Sequence, residues 1–157
     1  MYGCKVVQLI IVRPFEIDDS REVLEMEELI FNEPNPLLCT MIEARPLEGF
    51  IVAEEDGEIC GYLLGTLLMD EARILLIAVK EGRRRKGVGT RLVNEYIDSV
   101  KGRASMVRLE VRSSNLSAQT FYFKMGFRFI GLVNNYYRNG DNAYIMVKPM
   151  DNMTLFL

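Results

Sequence analysis

The 157-residue sequence contains no histidine, and that absence removes a large share of enzyme chemistry. Ser-His and Cys-His nucleophilic pairs are excluded, and so is any metal site with a histidine ligand. General acid and base work falls to carboxylate, tyrosine, lysine, thiol or backbone. Cysteine is scarce as well. Cys4, Cys39 and Cys60 are odd in number and follow no metal or redox spacing, so free thiols in a reducing compartment are expected. No stretch reaches the roughly 18 apolar residues that a membrane helix needs. The apolar start, Met1 to Val12, is interrupted by Lys5 and Gln8 and runs into Arg13-Pro14 with no small-residue cleavage site. A soluble, cytoplasmic protein with no membrane partner is the expectation. Internal repeats, low-complexity runs and linkers are lacking too.

What is present suits one packed domain. The length fits a single domain, and 49% of the residues are apolar, enough for a real core. A net charge of −3 argues against a general nucleic-acid binder. The cluster Arg83 to Lys86 is a local basic exception, suited to a small polyanion.

That cluster lies in the stretch around which the chain is organised, Glu81-Gly82-Arg83-Arg84-Arg85-Lys86-Gly87-Val88-Gly89-Thr90. Before it, the apolar run Ile74 to Val79 reads as a buried strand. After it, Val88, Leu92, Val93, Tyr96, Ile97 and Val100 recur at helical spacing. In a strand-loop-helix unit the first N–H groups of the helix have no internal partners and converge on the loop, where they can hold an anion. Gly87 and Gly89 have no Cβ and admit a ligand close to the main chain. The P-loop pattern fails because Val88, not Lys, follows Gly87. The dinucleotide fingerprint fails because Leu92 occupies the place of its third glycine. A phosphate cradle is one reading of what remains; a solvated basic turn with a glycine hinge is the other.

The other elements follow from periodicity and punctuation. Val6 to Val12 reads as a strand stopped by Pro14. Asp18, Asp19 and Ser20 can cap a helix from about Ser20 to Phe31, in which Glu27 sits near the apolar face. Asn32-Glu33-Pro34-Asn35-Pro36 breaks it into a loop expected to be mobile, before a short helix from Leu37 to Ala44. Gly49 to Glu55 and Glu58 to Met69 read as strands joined by a tight Asp56-Gly57 turn. Asp70-Glu71 then turns the chain into the Ile74 strand, and Gly102 ends the long helix. From Met106 to Arg112 the pattern alternates, Val107, Leu109 and Val111 on one face and Arg108, Glu110 and Arg112 on the other. Ser113-Ser114-Asn115 is a turn and cap for a helix from Leu116 to Met125. Phe127 to Val133 and Ala143 to Val147 close the series as strands joined across Asn139-Gly140. Residues 151–157 read as a tail expected to fray.

Arg84, Gly87 and Gly89 stand as Arg-x-x-Gly-x-Gly after a strand, and this resembles the acyl-CoA pyrophosphate loop of the GNAT superfamily of N-acetyltransferases. A second constellation carries the likeness further. Glu110, Asn115, Tyr122 and Gly126-Phe127 have the spacing of the RimI-type branch, which acetylates protein N-termini, and Asn135-Tyr136-Tyr137 to Asp141, Tyr144 and Met146 is similar to it as well. The order of elements resembles the GNAT fold over nearly the whole chain. The resemblance implies an α/β protein, with residues 1–150 as one domain built on a mixed, mostly antiparallel central sheet with helices on both faces. Lys80-Glu81-Gly82 departs from the proline-containing turn often found at that place, which bears on how the loop begins.

The resemblance also implies roles. Acetyl-CoA would be the cosubstrate, held by Arg84, Arg85, Lys86, Gly87, Val88, Gly89, Thr90, Asn115 and Tyr122. The N–H groups of Ile77, Ala78 and Val79 would meet the acetyl carbonyl, the strands of Ile74 and Met106 being splayed around the cofactor. Phe31, Glu33, Tyr136 and Tyr137 would line the acceptor groove. Among these residues the chemistry selects Glu110 and Tyr122. A protein α-amine is neutral only to roughly 10 to 20% at pH 7, so a base is a real but small demand, and Glu110 can accept the proton directly or through water. Alternatively Glu110 pairs with Arg108 or Arg112. Tyr122 can donate to the departing thiolate, with full transfer downhill only if its pKa is lowered or the thiolate is bound tightly. Its other reading is a core aromatic with its hydroxyl on a backbone carbonyl. Asn115 can hold CoA, cap its helix, or do both. A cysteine-linked ping-pong route has no histidine to activate it, so direct attack in a ternary complex is expected, with no metal. Glu27, Glu28 and Glu33 would attract a cationic amine, which keeps a small amine, polyamine or lysine acceptor open beside the protein N-terminus. A non-catalytic CoA-binding regulatory domain is the competing class, and a homodimer is compatible with the sequence.

Overall fold

The computed structural model describes residues 9–32, 35–44 and 48–150. Its elements run β1 (Ile10–Pro14), a 3-10 turn (Ile17–Asp19), α1 (Ser20–Phe31), α2 (Pro36–Glu43), β2 (Phe50–Glu55), β3 (Glu58–Leu68) and β4 (Glu71–Val79). Then come α3 (Val88–Val100), β5 (Met106–Arg112), α4 (Leu116–Lys124), β6 (Arg128–Val133) and β7 (Ala143–Pro149). The strands form one seven-stranded sheet in the order β1-β2-β3-β4-β5-β7-β6. It is mixed and mostly antiparallel, as expected, with β4 and β5 as a parallel pair. The described residues group into two compact units, those up to Leu63 with Leu76–Glu95, and Leu64–Leu75 with those from Tyr96 onward.

In the first unit, α1 and α2 bury Val23, Met26, Leu38 and Ile42, while β2 and β3 bury Phe50, Val52, Ile59, Tyr62 and Leu63. Burying a side chain of this size stabilises by about 1.5 to 3 kcal/mol. The β2-β3 hairpin turns at Asp56 and Gly57, both with positive φ, as a two-residue turn matched to strand twist requires. β1 does end at Pro14, but past the expected Val12: Arg13 and Pro14 belong to the strand, and Pro14 pairs with Ile51. An edge strand tolerates proline because one side of its backbone has no strand to bond. The expected beginning of that strand, Val6 to Gln8, lies outside the described residues, as do part of the expected mobile loop and the tail 151–157. Of the three expected caps, Asp19 flanks α1 without capping it by its side chain. Its carboxylate is taken by the Arg13 guanidinium at 2.8 and 2.9 Å and by the N–H of Glu16. Arg13 also bonds Glu54, tying β1, β2 and the start of α1 together.

The second unit is centred on β5. Its inward residues Val107, Leu109 and Val111 are buried, and its alternate residues are half-buried, following the two-residue period. All seven residues of β5 pair with β7, from Met106↔Pro149 to Arg112↔Ala143. On the other side the parallel ladder runs only from Glu71↔Met106 to Ile74↔Leu109, although β4 continues to Val79 and β5 to Arg112. Leu75 and Glu110 are therefore the first positions beyond it. Tyr96 of α3 is buried, and its hydroxyl lies 2.6 Å from the Thr66 carbonyl and 3.1 Å from that of Arg73. Gly65 makes room for it: a Cβ there would stand 2.3 Å from the Tyr96 ring. β4 starts at Glu71 rather than Ile74, and the turn before it is Met69-Asp70, with Met69 at φ 56°. Methionine carries no turn signal, which is why the sequence places that boundary late.

Candidate active site

The cradle stretch lies in the first unit. Residues 81–87 form turns and α3 begins at Val88. The first i→i−4 bond of α3 runs from Arg91 N–H to the Gly87 carbonyl at 3.0 Å, so Val88, Gly89 and Thr90 carry the unsatisfied helix-head N–H groups. Gly87 has φ 82°, and a Cβ there would meet nothing within 4 Å. The glycine is needed for the left-handed turn, and the space above it is open to a ligand. The side chain of Val88 is buried and anchors the helix head. Gly61 of β3 allows close packing beneath, since a Cβ there would stand 3.0 Å from the Ala78 carbonyl and 3.1 Å from a Val88 methyl.

The four cations divide by role. Arg83 turns inward to an ion pair with the buried Glu55 at the end of β2. Arg84 is exposed and donates from Nε to the Val79 carbonyl at 3.2 Å, tying the loop to the strand. Arg85 and Lys86 are exposed, Arg85 with φ 62°. Loop positions 82, 85 and 87 thus all take positive φ, the physical counterpart of starting the turn with Lys80-Glu81-Gly82. Just before the loop, Lys80 donates its N–H to the Cys60 carbonyl of β3 at 2.8 Å. Alternate residues of a strand point to opposite edges, so Ala78 shares that edge while the N–H groups of Ile77 and Val79 face away from β3.

The second constellation lies in the second unit. Glu110 projects from β5 with its side chain 11% exposed, and Arg108, two residues earlier on the same face, donates from Nε to its Oε1 at 2.9 Å. Of the two arginines expected as partners, Arg108 takes the role; Arg112 pairs instead with Asp141 at 2.7 Å. Tyr122 of α4 is buried, packed edge-on against Phe121 and Phe127 at 5.1 and 5.6 Å. Among the described residues its hydroxyl makes no hydrogen bond, so the expected backbone carbonyl is not its partner. Burial, and then the neighbouring Tyr137, push its pKa well above the usual phenol range. The lowered pKa that would favour full proton transfer is therefore not met here.

Asn115 caps α4, its Oδ1 accepting from Ala118 N–H at 3.1 Å. Tyr136 and Tyr137 sit together in the connection between β6 and β7, rings 5.0 Å apart, Tyr136 exposed and Tyr137 half-buried. Burial raises both phenols, and the charge of Glu110 acts on both in the same direction. Phe31 ends α1 in the first unit, 51% exposed, and Glu33 lies outside the described residues. Glu27 corrects an expectation: it is no surface attractor for cations. It is 1% exposed, accepts a hydrogen bond from the buried Tyr62, and is raised in pKa by burial.

Sequence reasoning missed Gln119, whose Nε2 donates to the carbonyls of Arg112 and Ser113 at 3.0 Å each, bracing the β5-α4 turn. A polar residue among the aromatics of α4 was the available signal. Among the described residues no group of three or more Cys, Asp or Glu could hold a metal ion. No described helix is long and apolar enough to cross a membrane.

A strand that runs into a glycine-punctuated helix head in one unit, and in the other a β5 carrying a carboxylate and an α4 carrying a buried phenol, define a class that comparison with known proteins identifies. Residues 12–127 match the acetyltransferase (GNAT) family, and the chain belongs to that family. An uncharacterized N-acetyltransferase of Methanocaldococcus jannaschii is 36% identical over 90% of this chain and 93% of its own length. A putative [ribosomal protein bS18]-alanine N-acetyltransferase of Bacillus subtilis is 34% identical over 86% and 92%. Among solved structures, Ard1 from Thermoplasma volcanium superposes with a TM-score of 0.81 at 33% identity, over 90% of this chain and 97% of that one.

Proposed function

We propose that this protein transfers the acetyl group of acetyl-CoA to the N-terminal α-amino group of an acceptor protein, by direct attack in a ternary complex. Residues 1–150 act as the N-acetyltransferase domain, and 151–157 are its tail. The observation that carries the reading is the head of α3, where three unsatisfied N–H groups stand behind the open left-handed Gly87. The names of relatives, one a putative [ribosomal protein bS18]-alanine N-acetyltransferase and another an N-alpha-acetyltransferase of Sulfurisphaera tokodaii, support the acceptor.

In this reading Gly87, Val88, Gly89 and Thr90 bind the diphosphate through main-chain N–H. Arg84, Arg85 and Lys86 add charge. When bound, acetyl-CoA supplies the activated acyl group. The N–H groups of Ile77 and Val79 stabilise negative charge as it develops on the acetyl oxygen. Phe31, Glu33, Tyr136 and Tyr137 hold the acceptor, whose nitrogen bonds the acetyl carbon as the carbon–sulfur bond breaks. Glu110 takes the amine's proton through a water, using the carboxylate oxygen that Arg108 does not hold. Tyr122 donates a hydrogen bond to the departing sulfur. With its pKa raised by burial it keeps its own proton, and solvent supplies the one that thiol formation requires. Thioester aminolysis by these groups calls for no metal. The free thiols of Cys39 and Cys60 fit a reducing, cytoplasmic setting.

A thioester-release assay tests the reading with one panel of N-terminal peptides and one of small amines, polyamines and lysine side chains. Release driven by peptides is expected. Release driven only by the second panel replaces the acceptor, and binding of acetyl-CoA without release by any amine replaces the enzyme with a CoA-binding regulatory domain.

A further inference from the structure

Arg112, the last residue of β5, is the point at which the connection between β6 and β7 is fastened to the strand that carries Glu110. Its Nη1 donates to Asn139 Oδ1 at 3.0 Å and to Asp141 Oδ2 at 2.7 Å. Its guanidinium carbon stands 3.8 Å over the Tyr137 ring. Its own carbonyl is held by Gln119. The hydrogen bonds from Arg112, then from Asn139, keep the Asp141 carboxyl below its ordinary pKa, so it is a carboxylate throughout the neutral range.

The connection closes on these contacts. Asn139 and Asp141 are bonded to each other at 3.0 Å, Tyr137 N–H donates to the Asp141 carbonyl, and Gly140 N–H donates to the Tyr137 carbonyl. Where the connection meets β7, Ser113 N–H donates to the Asn142 carbonyl. Among the described residues, Arg112 on its face and Tyr136 at its edge make the ring contacts of Tyr137. One guanidinium nitrogen bonds two side chains while the planar face of the group covers a ring; an ammonium has no such face.

We propose that Arg112 is a positioning residue for acceptor specificity: it sets Tyr136 and Tyr137 in register with Glu110, so that an acceptor main chain is presented at a fixed distance from the base. This rests on the N-acetyltransferase reading above. Arg112 itself touches neither the acetyl group nor the amine. Losing it frees the tyrosines without touching the cradle, and two charge-assisted hydrogen bonds and a cation–π contact are lost together.

The test uses the full chain, acetyl-CoA, and the N-terminal peptide that the wild type acetylates fastest. Arg112→Met is expected to raise KM for the peptide by about tenfold or more, with KM for acetyl-CoA and kcat within about twofold of wild type, the change expected where chemistry is untouched. Arg112→Lys keeps the charge but not the planar face or the reach of the guanidinium, and is expected to recover little of the loss. Equal peptide KM in wild type and Arg112→Met overturns the inference, and so does full recovery by Lys or a fall in kcat alone. Should Arg112→Met fail to fold, the loop variants Asp141→Asn and Asn139→Ala carry the same expectation, and no rise in peptide KM in either overturns it. A wild type that acetylates no peptide removes the underlying reading, an outcome distinct from an active wild type indifferent to Arg112.

Discussion

Arg108 donates from Nε to Oε1 of Glu110 across 2.9 Å, one strand repeat away on the same face of β5. The carboxylate is thus oriented by a cation, and in the proposed reaction its second oxygen is the one that meets the acceptor. Glu110→Gln is expected to lower kcat/KM by about tenfold or more, chiefly at low pH, where the amine is most protonated and the base is most needed. The pH-rate profile measures this, and an unaltered profile removes Glu110 as the base.

Tyr122 is buried, and its hydroxyl makes no hydrogen bond among the described residues. Tyr122→Phe is therefore expected to lower kcat by about 100-fold while leaving the melting temperature nearly unchanged, because the ring contacts are kept and no hydrogen bond is lost. Normal turnover with a lowered melting temperature would reverse the assignment.

Tyr96 serves the fold in the opposite way. Its hydroxyl lies within bonding distance of the Thr66 and Arg73 carbonyls, so Tyr96→Phe is expected to cost about 1 to 3 kcal/mol of stability. Urea unfolding gives the value directly. A loss well under 0.5 kcal/mol, roughly the scatter of neutral surface changes, would show that those carbonyls are satisfied without it.

Glu27 predicts a pH dependence. Burial raises its folded pKa above the ordinary carboxylate value, so the folded state binds this proton more tightly than the unfolded chain. Its contribution is fully present below the unfolded pKa, about 4.3, and is lost as pH rises through the raised folded pKa. Glu27→Gln stays neutral and can still accept from Tyr62. The stability difference between variant and wild type is expected to move in favour of Gln as pH rises from 4 towards 7. A difference that stays flat across that range contradicts the shift.

The sequence made the local elements legible wherever period and punctuation agreed. The alternation of Val107, Leu109 and Val111 and the helical spacing from Val88 to Val100 appear in the fold as read. Pairing between distant segments was another matter. Neither the insertion of β7 between β5 and β6 nor the end of the ladder at Ile74↔Leu109 leaves a mark in local pattern. Glu55 for Arg83, Tyr62 for Glu27 and Asp141 for Arg112 are tertiary choices among several carboxylates, hydroxyls and cations of equal local merit. Pro14 marked where β1 ends but not that the proline itself pairs, because an edge strand can carry proline and edge position is itself a tertiary fact.

The head of α3 is the proposed seat of the cofactor, and calorimetric titration of acetyl-CoA into wild type and Gly87→Glu tests that assignment most directly. The glutamate would fill the open space above the turn and set a negative charge among the N–H groups meant for phosphate. Saturable binding at one site per chain in the wild type, lost in a Gly87→Glu variant that still unfolds cooperatively, is the predicted result. Equal affinity in the two proteins would contradict it.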